Sequence, residues 1–209
     1  MIGTTLKLNE KKLLQIGILM FTSGILCNFF LGFNSNYSHP QVNLIQKLTN
    51  MPIIIGIIFL VIIAPFIEEL IFRYWTTRKK HSIILSFFGI SIFFFFYTHS
   101  VYLTLFVALF LAYPFFYFLR HRDKPKLTMV ATSVVFALVH FENPVITMES
   151  IAMFASLFGF AIILSYLGLR KKFYYCIITH GAYNLLALIL ILFPVNTDAL
   201  MLNSESFNA

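Results

Sequence analysis

Glu68 and Glu69 stand side by side in the run Ala64-Pro65-Phe66-Ile67-Glu68-Glu69-Leu70-Ile71-Phe72-Arg73, within an otherwise apolar stretch. On a helix the two carboxylates lie about 100° apart, and Arg73 falls one turn beyond Glu69. An Arg at that spacing can neutralise one carboxylate and leave the other to take a proton from water as a general base. Pro65 has no N–H to give to residue 61, so it opens the helix backbone just before the pair. A structural ion pair is the plainer use of one carboxylate and one Arg. Two carboxylates, a Pro and an Arg within so few turns favour chemistry. Further along, His140 stands one turn after Phe136 and His180 one turn before Asn184, so each pair shares a helix face. A carboxylate base, two imidazoles and a carboxamide suffice to activate water and stabilise an oxyanion, or to hold a metal.

The elements that must position these residues follow from composition. Of 209 residues, 59% are apolar and 11% charged, with 26 Phe, whereas soluble domains carry roughly 25% charged residues. A soluble globule and a disordered polymer are excluded on that ground. Cys27 and Cys176 both lie in apolar runs, which excludes a disulfide scaffold. The net charge of +7 comes as short basic clusters without an interleaved aromatic strip, so nucleic acid is not the expected partner. Apolar runs bounded by charge or by Gly, Pro and Asn predict seven spans: Leu13 to Phe33, Pro52 to Trp75, Ser82 to Tyr97, Val101 to Leu119, Leu127 to Phe141, Ile151 to Leu169 and Phe173 to Phe193. No period-two alternation supports a barrel, so the expected fold is an all-α polytopic membrane protein, a bundle of about seven transmembrane helices. The first run lacks a small-x-small cleavage site and reads as an uncleaved anchor.

Thirteen of the 15 Lys and Arg residues fall on one side of this arrangement, before the first span or after the second, fourth and sixth. Lys47 alone lies on the other side, and Arg73 is within a span. The positive-inside rule then makes the N-terminus cytosolic and places Glu142, Glu149, Asp198 and Glu205 outside. Ionisable groups inside spans are functional candidates because the bilayer disfavours them. Counted from the nearest cytosolic basic residue at 1.5 Å per residue, Glu68, His180 and His140 lie about 15, 12 and 21 Å deep. The same count puts His99 at about 28 Å, near the outer face. The first three can meet; His99 is expected to be interfacial.

Taken together, Glu68-Glu69-x-x-x-Arg73, Phe136-x-x-x-His140 and His180-x-x-x-Asn184 resemble the three signature motifs of the CPBP family, the CAAX proteases and bacteriocin-processing proteins also called Abi proteins. The likeness spans about residues 52 to 193. It implies a helical intramembrane endopeptidase in which Glu68 activates water with help from His140, His180 and Asn184 stabilise the oxyanion, and Glu69 and Arg73 support the site. Phe136 and Pro65 are supporting residues. The distance from Glu69 to His140 is longer than in compact members, so 82–119 is expected to be an inserted helical hairpin. A rival alignment through Phe95-x-x-x-His99 is disfavoured by depth. The expected organisation is an anchor helix and outer loop over 1–51, the protease-like domain over 52–193 and a tail over 194–209.

Two His and one Glu, namely Glu68, His140 and His180, are also a possible zinc set, although the carboxamide and Arg suit metal-free chemistry better. No cofactor is required by the motifs. The expected partners are the lipid bilayer and a membrane-anchored peptide or protein substrate, and the expected location is the plasma membrane of a bacterial cell, as a multi-pass protein. Two other functions use the same features. A non-catalytic immunity or accessory protein could keep the fold, but a binder has no need of a charged pair in the bilayer. A transporter or proton relay would use buried ionisable groups, but neither repeats nor a second broken helix accompany them.

Overall fold

The computed structural model describes residues 2–32, 52–140 and 147–192. Lys47, Glu142, Asp198 and Glu205, with the outer loop and the tail they belong to, lie outside the described residues. Every regular element among those described is helical. In order they are α1 (Ile2–Gly32), α2 (Ile53–Ile58), a π-helical turn (Phe59–Ile63), α3 (Ala64–Phe72), a 3-10 turn (Tyr74–Thr77), α4 (Lys80–Thr98), α5 (Val101–Arg120), α6 (Lys126–Val139), α7 (Met148–Arg170) and α8 (Phe173–Leu192). Four stretches are long and apolar enough to cross a membrane: Ile54–Phe72, Lys80–Thr98, Val101–Arg120 and Met148–Arg170. Lys126–Val139 and Phe173–Ile189 are apolar but shorter.

The distribution of polarity is inverted relative to a water-soluble fold. Tyr102, Leu109, Phe106, Ile54 and Phe96 are largely exposed, while Glu69, Arg73, Ser82, Ser86, Thr128, Thr132, Ser133 and His180 are buried. An apolar exterior around a polar interior is what a hydrocarbon solvent selects. This is a multi-pass membrane protein.

Local sequence sets the helix ends. Ser100 caps α5 by accepting the Leu103 N–H, and Thr147 and Ser150 form a reciprocal capping box at the start of α7. Pro125 precedes α6, whose first turn is tied to α5 by the Thr128 hydroxyl donating to the Pro114 carbonyl at 2.8 Å. At 14 residues α6 is about 21 Å long, short of a hydrocarbon core of about 30 Å, and His140 follows it directly as the C-cap.

The second predicted span differs from expectation. The helix runs through the predicted span from Ile54 to Phe72 but widens to a π turn over Phe59–Ile63 between α2 and α3, and it ends at Arg73, after which a 3-10 turn takes the place of the last predicted turn. Pro65 is the physical reason for the first irregularity, because it removes a backbone donor where the helix register changes. The second is stabilised from the side. Trp75 is fully buried, its indole N–H donates to the Phe72 carbonyl at 2.8 Å, and its backbone N–H donates to Ser86 Oγ of α4 at 3.0 Å.

The core that carries the site gathers Phe72, Trp75, Phe115, Phe118, Phe136 and Met129 from α3, α5, α6 and the 3-10 turn. Helix α1 lies along α7 at close range. A Cβ on Gly159 would run into the backbone of Gly17 and Phe21, so this pair of helices depends on its glycines for contact.

Candidate active site

Glu69 and Arg73 form the buried half of the site. Arg73 ends α3, its N–H donating to the Glu69 carbonyl at 2.9 Å, and its guanidinium folds back so that Nη1 reaches Glu69 Oε1 at 3.1 Å. The guanidinium carbon stands 3.9 Å from the centre of the Phe136 ring, which gives the cation an aromatic face as well as a carboxylate. Thr76 Oγ1 donates to the Arg73 carbonyl at 2.7 Å and fixes the 3-10 turn. His180 completes the group from α8, with Nδ1 at 2.8 Å from the same Glu69 Oε1. Glu69 is 0% exposed, so an acceptor with two cationic or N–H partners is the way for it to remain there.

Glu68 forms the open half. Its side chain keeps 19% exposure, and His140 keeps 33%. Glu68 Oε2 lies 3.7 Å from His140 Nε2 and 3.8 Å from His180 Nε2, near enough to interact electrostatically and too far for a direct hydrogen bond. The opposite ring nitrogens decide the tautomers. His140 Nδ1 is 2.8 Å from the Phe136 carbonyl, which can only accept, so Nδ1 carries the proton. His180 Nδ1 likewise donates to the Glu69 carboxylate. In the neutral rings both Nε2 atoms are then acceptors, and they converge on a carboxylate oxygen that is itself an acceptor. Such a cluster attracts a species with protons to donate.

The Phe136 ring lies between three of these groups, with centroid distances of 4.5 Å to His140 and 6.0 Å to His180 besides its contact with Arg73. Phe160 of α7 meets the His180 ring edge-on at 5.6 Å, and it is backed by Tyr183 and by Phe21 of α1. Asn184, one turn beyond His180, donates from Nδ2 to the Leu60 carbonyl in the π turn at 2.9 Å.

Residues 113–186 match a family model described as type II CAAX prenyl endopeptidase Rce1-like. The match supports the CPBP/CAAX protease family. The matched segment contains Phe136, His140, His180 and Asn184, and the Glu68–Arg73 segment precedes it. No curated protein and no solved structure matches the chain.

The structure therefore brings Glu68, Glu69, Arg73, Phe136, His140 and His180 into one cluster, whereas Asn184 holds the π turn that precedes α3 and Pro65 is buried in the first turn of α3. His99 is elsewhere: it caps α4 in left-handed backbone (φ 52°), its N–H donating to the Phe95 carbonyl at 2.8 Å. Among the described residues no group of three or more His, Cys, Asp or Glu side chains is placed to hold a metal ion, and no catalytic step is routed through a metal. Phe160 and Gly181 belong to the site's walls and carry no signal in the sequence beyond their neighbours, since Phe160 is one of many Phe residues and Gly181 simply comes after His180.

Proposed function

We propose that this chain is an intramembrane endopeptidase that hydrolyses a peptide bond of a membrane-associated substrate with water activated by Glu68. The observation that carries the reading is the convergence of three acceptor atoms, Glu68 Oε2 and the two imidazole Nε2 atoms, beside a second carboxylate that is already committed to Arg73 and His180. A water donating to that cluster loses one proton to Glu68 with His140 alongside, and its oxygen attacks the scissile carbonyl carbon. The carbonyl π pair becomes the oxyanion. Collapse expels the amine, which takes the proton held on Glu68. His180 serves the oxyanion when its Nε2 bears a proton, and Glu69 on Nδ1 balances the charge that this proton adds. Asn184 is the second candidate donor at this end of the site.

The basic-residue asymmetry supports seven crossings with the N-terminus cytosolic and the site in the cytosolic half of the bilayer. The protease-like unit is assigned to 52–193, with α4 and α5 as an inserted hairpin. The family description makes a prenylated CAAX peptide the first probe. The full chain in lipid nanodiscs is expected to release the C-terminal fragment of such a membrane-anchored peptide, detected by mass spectrometry, and to do so after exhaustive chelation. Activity restored only by added zinc would transfer Glu68, His140 and His180 to a ligand role.

A further inference from the structure

In the π turn the Ala64 N–H donates to the Phe59 carbonyl rather than to its α-helical partner Leu60. The π-register partner of the Leu60 carbonyl is the nitrogen of residue 65, and that residue is Pro65, which has no N–H. Leu60 is thereby left to a partner from outside the helix, and Asn184 Nδ2 fills that place at 2.9 Å. The next carbonyl, Val61, loses its α-register donor to the same proline. It faces Gly181, where a Cβ would stand 2.5 Å from the Val61 oxygen. Gly181 and Asn184 are three residues apart on one face of α8, so they sit on two consecutive carbonyls.

This arrangement controls direction. A π turn holds one residue more than an α turn, so every residue beyond it is rotated by about 100° relative to a regular helix. The Glu68–Glu69 pair lies one turn beyond it, on α3. We infer that Gly181 and Asn184 clasp the π turn and so set the azimuth of Glu68 towards His140 and His180, acting as positioning residues. The consequence for cleavage rests on the proposed role of Glu68 as base, whereas the clasp itself does not. A carboxamide whose job was confined to the oxyanion would have no reason to hold a backbone carbonyl on another helix.

The test uses the full chain in nanodiscs. A chain carrying Glu68→Cys and His140→Cys is treated with a short bifunctional thiol reagent, with and without Asn184→Ala, and the linked peptide is quantified. Melting temperatures are measured for Asn184→Ala, Pro65→Ala and the double variant, and cleavage of the prenylated peptide is followed in the same three. The expected result is a several-fold loss of cross-linking and a lowered melting temperature with Asn184→Ala. Adding Pro65→Ala restores a backbone donor, so the melting temperature recovers, while cleavage stays depressed by about 10²-fold because the helix regularises and Glu68 turns away. Gly181→Ala, with Asn184 intact, is expected to lower cross-linking as well. Unchanged cross-linking and melting in Asn184→Ala, with cleavage alone reduced, would overturn the clasp and return the carboxamide to the reacting carbonyl. If the parent chain cleaves nothing, the peptidase reading fails, and cross-linking and melting still decide the clasp.

Discussion

Glu68 and Glu69 are neighbours on one helix and live in opposite circumstances. Glu69 is sealed from solvent, and one of its oxygens receives both Arg73 and His180. Glu68 keeps partial exposure and faces two imidazole nitrogens across distances too long for hydrogen bonds. A single step of about 100° around a helix therefore separates an anchored carboxylate from one without a direct hydrogen bond to its neighbours' imidazoles. Under the proposed function the pair divides the labour: Glu69 is held through one oxygen by Arg73 and His180, and Glu68, with no direct hydrogen bond to either imidazole, serves as the base.

The largest effects test the open half. His140→Ala is expected to abolish cleavage with the folded protein still in the membrane, because among the described residues its polar partners are Glu68 and the Phe136 carbonyl of its own helix. His180→Ala is expected to be milder in rate, roughly 10²-fold, through loss of an oxyanion donor, and costlier in stability, because Glu69 loses a partner. Turnover and thermal melting measured on the same preparations separate the two. Equal losses of stability in both variants would erase the distinction between the halves.

The next effect tests the buried half. Arg73→Ala removes the only guanidinium at Glu69 among the described residues and leaves a carboxylate buried. Breaking a buried pair from one side typically costs about 3–5 kcal/mol, so a large drop in melting temperature or loss from the membrane fraction is expected. Arg73→Lys should recover only part of it, since a point charge cannot both reach Glu69 and lie flat on Phe136. Smallest of all is His99→Ala, which is expected to leave cleavage near the parent level because His99 ends α4 through its backbone N–H and takes no part in the Glu68–Glu69 cluster. A dead His99→Ala enzyme would reopen the alignment through Phe95.

Much of this division was legible in the sequence because it rests on i, i+4 geometry, which needs no tertiary information. Glu69 with Arg73, Phe136 with His140 and His180 with Asn184 are each pairs of one helix face, and depth counting brought Glu68, His140 and His180 to compatible heights. Which carboxylate would be anchored was also readable, since Arg73 is one turn from Glu69. The π turn was not legible. Pro65 announces a disturbed backbone, but whether a helix answers by kinking, fraying or widening depends on what can satisfy the freed carbonyls, and here the answer comes from Asn184 on a helix more than a hundred residues away. The 3-10 turn after Arg73 was hidden for a similar reason, as it relies on Ser86 of α4 to receive the Trp75 N–H. Trp75 looked like the apolar end of a span and is instead the buried stop of a short helix.

The most direct measurement places Glu68→Gln beside Glu69→Gln in one assay of cleavage and thermal melting. Gln keeps the shape of either side chain and removes its charge and basicity. The division of labour predicts that Glu68→Gln melts like the parent protein and cleaves nothing, whereas Glu69→Gln melts at a distinctly lower temperature. Parent-level cleavage by Glu68→Gln, or a parent-like melting temperature for Glu69→Gln, would contradict it.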